Sequence, residues 1–384
     1  METLIVESLF GVAVAATCLG AFLLPLAAVS QGCSRMPDSV AKAGLETGLY
    51  TVAGLGPLVV VWLAWVWGLR LFEWEGGRPV IPWATFWYLL AGQVSFVLHT
   101  AADLWRWMRN AGQVEGVETV REARPYVSRP DDPRPLLPRW NGIHRLDRIR
   151  VRVRIPGLDP RLVGLKIGHL TDFHLGKQCH ARYVRHAVDR VLETSPDLIA
   201  VTGDFVNFAK YLDECFETLA EIQAPLGVFA VRGNHDYWVG AEEIGRRIES
   251  AGMILLEDRT VEAERRGARF LVSGIESRWN RAGVPLDYIP AEDTRLKVVL
   301  SHTPDEFPRL AEREPHLVLS GHTHGGQLRL PLFGPVVTPS DYGRRYAAGV
   351  FRKGPSLLYV SRGIGCYPPL RLLCDPEVTV FELI

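Results

Sequence analysis

Metal chemistry is suggested by five short segments of this chain: Thr171-Asp172-Phe173-His174, Gly203-Asp204, Gly233-Asn234-His235-Asp236, Ser301-His302 and Gly321-His322-Thr323-His324. Each alone says little. A single histidine after an apolar run is usually a hydrogen-bonded core or surface residue, and aspartate after glycine is usually a turn or a helix cap. Five such segments in succession, each following an apolar run, are hard to produce by chance. Carboxylate, imidazole and amide oxygen suit hard or borderline divalent ions such as manganese, iron or zinc, and no set of thiolates is offered to a softer ion. His322 and His324 stand two apart, so on an extended segment they point to opposite sides unless the backbone turns. Gly325 and Gly326 make such a turn easy, and the pair can feed two different ions.

The elements that must hold these side chains are legible as apolar runs. Short strands are predicted at residues 165–170, 198–202, 228–231, 270–274, 298–300, 317–319, 357–360 and 378–383. Amphipathic helices are predicted at 181–193, 212–222 and 241–251. Alternation of strand and helix followed by a strand-rich second half predicts an α/β fold, two facing sheets with helices outside. The metal segments then lie on loops at strand ends, where functional groups are usually held.

The pattern DFH, GDF, GNHDYW, SHTPD and GHTHGGQ resembles the calcineurin-like metallophosphoesterase superfamily over residues 147–384. GHTHGGQ, the Tyr359-Val360-Ser361-Arg362-Gly363-Ile364-Gly365 segment and the apolar start resemble its membrane-associated branch, transmembrane proteins with a metallophosphoesterase domain. Some of those relatives hydrolyse the pyrophosphate of UDP-2,3-diacylglucosamine. The resemblance implies a four-layer sandwich of two mixed sheets flanked by helices, and hydrolysis of a P–O bond with two divalent ions. By motif position it implies that Asp172, His174, Asp204 and His324 hold one ion, with Asp204 bridging, and that Asn234, His302 and His322 complete the second. Two such ions clamp a phosphate and lower the pKa of a shared water. Similarity also implies that His235 donates a hydrogen bond or proton to the phosphoryl group or leaving oxygen. Asp236 would either orient that imidazole or cap a helix. Close relatives often carry aspartate in the segment Gly274-Ile275-Glu276-Ser277 and at the position of His316; neither is an expected ligand, so these departures bear on the substrate pocket.

The amino-terminal third differs in kind. Uncharged stretches at residues 8–34, 47–69 and 79–102 exceed the roughly 20 residues of a membrane-crossing helix. They lack the polar stripe of a soluble helix and carry Trp62, Trp65, Trp67, Trp83, Trp87 and Tyr88 toward their ends. They predict an all-α transmembrane anchor over residues 1–105, with three spans, or two if the less apolar third stretch does not cross. Glu2 and Glu7, with no base before the first stretch, argue against a cleaved signal peptide. The charge-free start and the exit at Arg106 and Arg109 predict a multi-pass cell-membrane protein whose catalytic domain is cytoplasmic. Residues 106–146, with Pro125, Pro130, Pro133, Pro135 and Pro138, read as a linker, and 147–384 as the catalytic domain. In residues 148–155 arginine alternates with β-branched residues, which predicts an edge strand guarded by charge. The other reading sets these arginines, with Arg139 and Arg145, against anionic headgroups.

A site held within reach of a bilayer meets lipid-borne substrates at raised effective concentration, which predicts a phospholipid or a nucleotide-linked glycolipid. Loop 365–371 would offer apolar contact to acyl chains and Arg371 to phosphate, unless it is simply a packed turn. A tethered phosphoprotein or nucleotide phosphatase is the second reading. A non-catalytic membrane receptor or scaffold is the third, but its mark, lost ligands, is missing. The 43 basic and 43 acidic residues cancel, so no overall field gathers polyanions and no nucleic-acid partner is expected. Six cysteines without a CxxC pair make neither a zinc ribbon nor a disulfide framework, and Cys179 is expected to pack.

Overall fold

Uninterrupted apolar runs such as Leu198-Ile199-Ala200-Val201 form strands buried on both faces, because each is covered by a second layer on either side. The computed structural model describes residues 114–384, apart from 135, 136, 138, 277–284, 332 and 333, together with the backbone of β1 (Glu73–Glu75) and β2 (Arg78–Val80), an antiparallel pair. The expected spans lie outside the described residues, save that Pro79 and Val80, the start of the third, belong to β2. Among the described residues no helix is long and apolar enough to cross a membrane.

The first sheet holds β3 (Val117–Ala123), β4 (Asp147–Val153), β5 (Lys166–Leu170), β6 (Leu198–Thr202), β7 (Val228–Val231), β8 (Ile254–Leu255) and β17 (Glu377–Leu383), in the order β3-β4-β17-β5-β6-β7-β8. The second holds β9 (Arg259–Arg265), β10 (Ala268–Ile275), β11 (Lys297–Ser301), β12 (Leu317–Ser320), β15 (Gly349–Lys353) and β16 (Ser356–Val360), in the order β15-β16-β12-β11-β10-β9. Both are mixed: β5 to β8 run parallel, as do β10, β11, β12 and β16, and antiparallel strands flank each set. A small hairpin of β13 (Arg329–Leu330) and β14 (Gly334–Pro335) stands apart.

Side chains alternate across these layers. Leu198 and Ala200 of β6 point between the sheets, where Ile167 and Phe229 meet Phe270, Val298 and Leu317 of the second sheet. Ile199 and Val201 point outward onto α1 (Ala181–Leu192), α2 (Leu212–Leu219) and α3 (Asn234–Ser250), through Val184, Val188, Phe216, Ile244 and Ile248. On the far side of the second sheet Phe307, Leu310 and Tyr346 cover Val299, Val318 and Leu358. The order is helix, sheet, sheet, short helices. Fully burying one side chain such as Phe270 contributes roughly 1.5–3 kcal/mol.

Four expectations need correction. Residues 117–123, read as linker, are β3, paired antiparallel along the whole of β4. The folded domain therefore begins before residue 147. β4 is consequently an interior strand, flanked by β3 and β17. Its arginines meet the glutamates of β3: Arg148 is buried against Glu122 and Glu193, Arg150 lies 2.9 Å from Glu122, and Arg152 lies 3.0 Å from Glu118. For these strand arginines, charge pairing across the strands replaces the headgroup contact. Finally, α3 starts at Asn234 instead of 241, and its non-helical Gly240 (φ 139) marks the point where the amphipathic pattern begins.

Candidate metal centre

The parallel strands of both sheets end on one side of the molecule. Asp172 and His174 follow β5, Asp204 follows β6, Asn234 opens α3 after β7, His302 follows β11, and His322 and His324 follow β12. All seven are buried and lie together. Five of them, Asp172 (φ 54), His174 (φ 43), Asp204 (φ 58), His322 (φ 70) and His324 (φ 50), adopt the left-handed backbone region that non-glycine residues avoid. Each such residue costs on the order of 1–3 kcal/mol and persists where the surroundings demand it, most often at functional sites. Glycine makes room: a Cβ on Gly233 would lie 2.1 Å from Asp204 Oδ1, and one on Gly321 2.1 Å from Asp172 Oδ2.

Two groups of donors share Asp204. In one, His174 Nε2 lies 3.4 Å from Asp204 Oδ2, 3.2 Å from His324 Nε2 and 4.0 Å from Asp172 Oδ1. In the other, His302 Nε2 lies 3.4 Å from the same Asp204 Oδ2 and 3.0 Å from Asn234 Oδ1, which is itself 2.9 Å from His322 Nδ1. His322 and His324 thus lie in different groups. The His322 N–H donates to both Asp172 oxygens at 3.1 Å, which binds the two groups to each other.

The chemistry of these donors fits metal ions. His302 Nδ1 donates to the Thr202 carbonyl at 2.6 Å, and His174 Nδ1 donates to Asn207 Oδ1 at 2.7 Å. Each ring therefore turns an Nε2 lone pair inward, toward carboxylate, amide and imidazole acceptors. Such a convergence of lone pairs repels itself unless positive charge lies among them. Electrostatics makes the same demand: burial opposes charge on His302, yet Asp204 and Asp172 push its pKa up to about 10, drawing positive charge to that inward nitrogen. Burial likewise works against Asp204, but His302, His235 and His174 hold its carboxyl well below the usual range. Burial raises Asp172 and pushes His324 well below the ordinary histidine value, so His324 presents a neutral ring to an ion.

His235 sits at the edge of this centre. Its N–H donates to Asp204 Oδ1 at 2.9 Å, and its ring meets His174 edge-on at 4.7 Å between centroids. A ring nitrogen falls within 4.8 Å of donor atoms of His174 and Asp204. Burial pushes its pKa down to about 3, so the ring is neutral. Trp238, three residues on along α3, packs against it at 4.2 Å between centroids.

For Asp236 and Arg371 the structure builds the packing role and not the role toward substrate or His235. Asp236 accepts the backbone N–H groups of Asp204 (2.9 Å), Gly233 (2.7 Å) and Phe205 (2.9 Å), so it caps α3 and ties two ligand loops together instead of orienting the His235 ring. Burial, then the nearby Asp204 charge, pushes its carboxyl up to about 7. Arg371, expected to meet substrate phosphate, is buried; its guanidinium donates to the carbonyls of His324, Cys374, Arg362, Gly363 and Gly365. The loop is a packed turn at that point, and Arg371 joins the His324 loop to the one on which Asp172 rests through Gly363 and Gly365. Cys179 packs as expected, and burial pushes its thiol up to about 12. Glu276 receives Arg232 and the Tyr237 hydroxyl, while His316 Nδ1 accepts from the Lys297 N–H, and neither supplies a ligand atom. Sequence reasoning missed Asn207, whose signal was an amide three residues beyond Asp204, and Trp238, whose signal was an aromatic at helical spacing from His235.

The family model for calcineurin-like phosphoesterases matches residues 165–326, which span every donor residue of the two groups. The phosphodiesterase YaeI of Escherichia coli K12 is 34% identical over 242 residues, covering 61% of this chain and 87% of that protein. The chain belongs to the calcineurin-like phosphoesterase family. It is a metal-dependent phosphoric ester hydrolase whose donor set suits divalent ions. Two further relatives are similar to this chain. The UDP-2,3-diacylglucosamine pyrophosphatase LpxG of Chlamydia muridarum is 25% identical over 61% of this chain and 88% of its own length. A transmembrane protein with metallophosphoesterase domain from Danio rerio is 28% identical over 60% of this chain and 56% of its own.

Proposed function

We propose that the protein hydrolyses a phosphodiester or pyrophosphate bond of a membrane lipid or of a nucleotide-linked glycolipid similar to UDP-2,3-diacylglucosamine. The observation that carries the site assignment is the shared oxygen: Asp204 Oδ2 stands 3.4 Å from both His174 Nε2 and His302 Nε2. Asp172, His174, Asp204 and His324 hold one divalent ion, and Asn234, His302 and His322, with Asp204 in common, hold the other. Bound there, two ions supply Lewis acidity that neutralises phosphate charge and makes water nucleophilic at neutral pH. The chain's own residues do the rest. His174 and His302 are oriented by Asn207 and the Thr202 carbonyl, and His235 offers a neutral N–H to the phosphoryl or leaving oxygen.

Likeness to LpxG and the uncharged stretches of residues 8–102 support a lipid-borne substrate and a membrane-anchored chain with its catalytic domain cytoplasmic. The test is hydrolysis of bis-p-nitrophenyl phosphate, p-nitrophenyl phosphate and UDP-2,3-diacylglucosamine by the full chain in detergent, with manganese, zinc or iron supplied and Asp204→Asn as the blank. Preferential turnover of the glycolipid is expected. Turnover of the generic diester alone keeps the reaction class and removes the lipid substrate.

A further inference from the structure

The rim of the metal centre combines exposed apolar side chains with unpaired positive charge. Phe208, four residues beyond Asp204, is 51% exposed, and its ring lies 6.1 Å from Tyr367, which in turn lies 6.0 Å from His235. Asn141 donates to the Pro369 carbonyl at 2.9 Å, which sets Trp140, 70% exposed, beside the same loop; Leu373, 61% exposed, follows it. Scattered apolar residues are ordinary on a surface, but these lie on or beside one loop, which approaches the metal centre at Tyr367.

Positive charge accompanies these side chains. Lys177 and Lys210, on the loops just beyond His174 and Asp204, and Arg139 and Arg145, beside Trp140, have no carboxylate partner among the described residues. The nearby Asp131 and Asp375 are already engaged by Arg182 and Arg121. Exposed aromatic and apolar side chains interleaved with free cations suit the headgroup region of an anionic bilayer, where rings enter the interface and cations meet lipid phosphates.

We propose that this rim docks on an anionic lipid bilayer, so that the metal centre opens toward the membrane surface. The inference deepens the proposed function and rests on it for its purpose. Its test reads position instead of turnover, so the two fail separately. The full chain, with Cys18 and Cys33 replaced by serine, carries a spin label at Trp140→Cys or Leu373→Cys; the native cysteines at 179, 215, 366 and 374 are buried. Val163→Cys is the control, 46% exposed and just before β5, at the end of the strands away from the metal ligands.

In vesicles containing phosphatidylglycerol, labels at 140 and 373 are expected to lose accessibility to a water-soluble nickel chelate and keep accessibility to oxygen, while the label at 163 stays open to both. The loss should be reversed in vesicles of phosphatidylcholine alone. Equal chelate accessibility at all three positions in both vesicles overturns the proposal. Protection of 140 and 373 in detergent without lipid overturns it as well, because another part of the chain then covers the rim.

Discussion

At the scale of single residues, the centre depends on side chains with no substitute. Asp204→Asn removes the one charge common to both donor groups, and metal-dependent hydrolysis of bis-p-nitrophenyl phosphate is expected to vanish. Retained activity would rule out the two-ion assignment. His235→Ala leaves the donor groups intact and is expected to slow turnover by about 10²–10⁴-fold with metal content unchanged by elemental analysis. Arg371 makes a different contribution. Its removal leaves the buried carbonyls of Arg362, Gly365 and Cys374 without a donor among the described residues, each costing about 1–3 kcal/mol, so Arg371→Ala should destabilise the domain by at least about 3 kcal/mol in denaturant melts. Lysine brings a point charge without the planar fork, and Arg371→Lys should recover only part of the loss.

At the scale of elements, function rests on the sharp passages from strand into loop or helix. The turn from β7 into α3 passes Gly233 within hydrogen-bond distance of Asp236 and leaves no room for a Cβ beside Asp204 and His302. Gly233→Ala must push either ligand aside, and the expected result is a 10- to 100-fold weaker metal affinity, of the order seen when ligand orientation is disturbed. Elemental analysis across a chelator series measures it; unchanged affinity would mean that the turn does not position the centre. The elements least legible in the sequence were of another kind. β3 and β9 are polar strands at sheet edges, whose stability comes from pairing with β4 and β10 instead of from their own apolar runs. Their glutamates and arginines look like linker until the partner strand is in place. β4 was recognised as a strand, yet its place inside the sheet depended on β3.

At the scale of the whole molecule, the two sheets enclose a buried polar residue that makes stability depend on pH. His169 on β5 is fully buried, bonds to Thr202 Oγ1 at 2.8 Å and faces the rings of Tyr359 and Phe381. Burial pushes its pKa down to about 3, from an ordinary 6.5. A depressed pKa stabilises the fold above the unfolded value and withdraws that stability as pH falls through the folded one. Unfolding free energy should therefore decline between pH 6.5 and 3, by a few kcal/mol at completion. In His169→Gln, which keeps a polar end toward Thr202, the slope over that interval should flatten by about one proton in urea melts. An unchanged slope would assign acid sensitivity to other groups.

What the sequence determined by itself was the chemistry of the centre and the ends of the strands that carry it. Ligand type is a property of each side chain, and an apolar run followed by Asp, Asn or His declares its own position. Tertiary structure alone decided which atoms meet. His174 and His324 are 150 residues apart and touch because parallel strands of two sheets end on one side, and because left-handed turns aim both rings inward. It also decided that Asp236 grips backbone and that Arg371 is buried. Both carry groups that serve a substrate or the backbone equally well, and only the packed neighbours determine which one they meet.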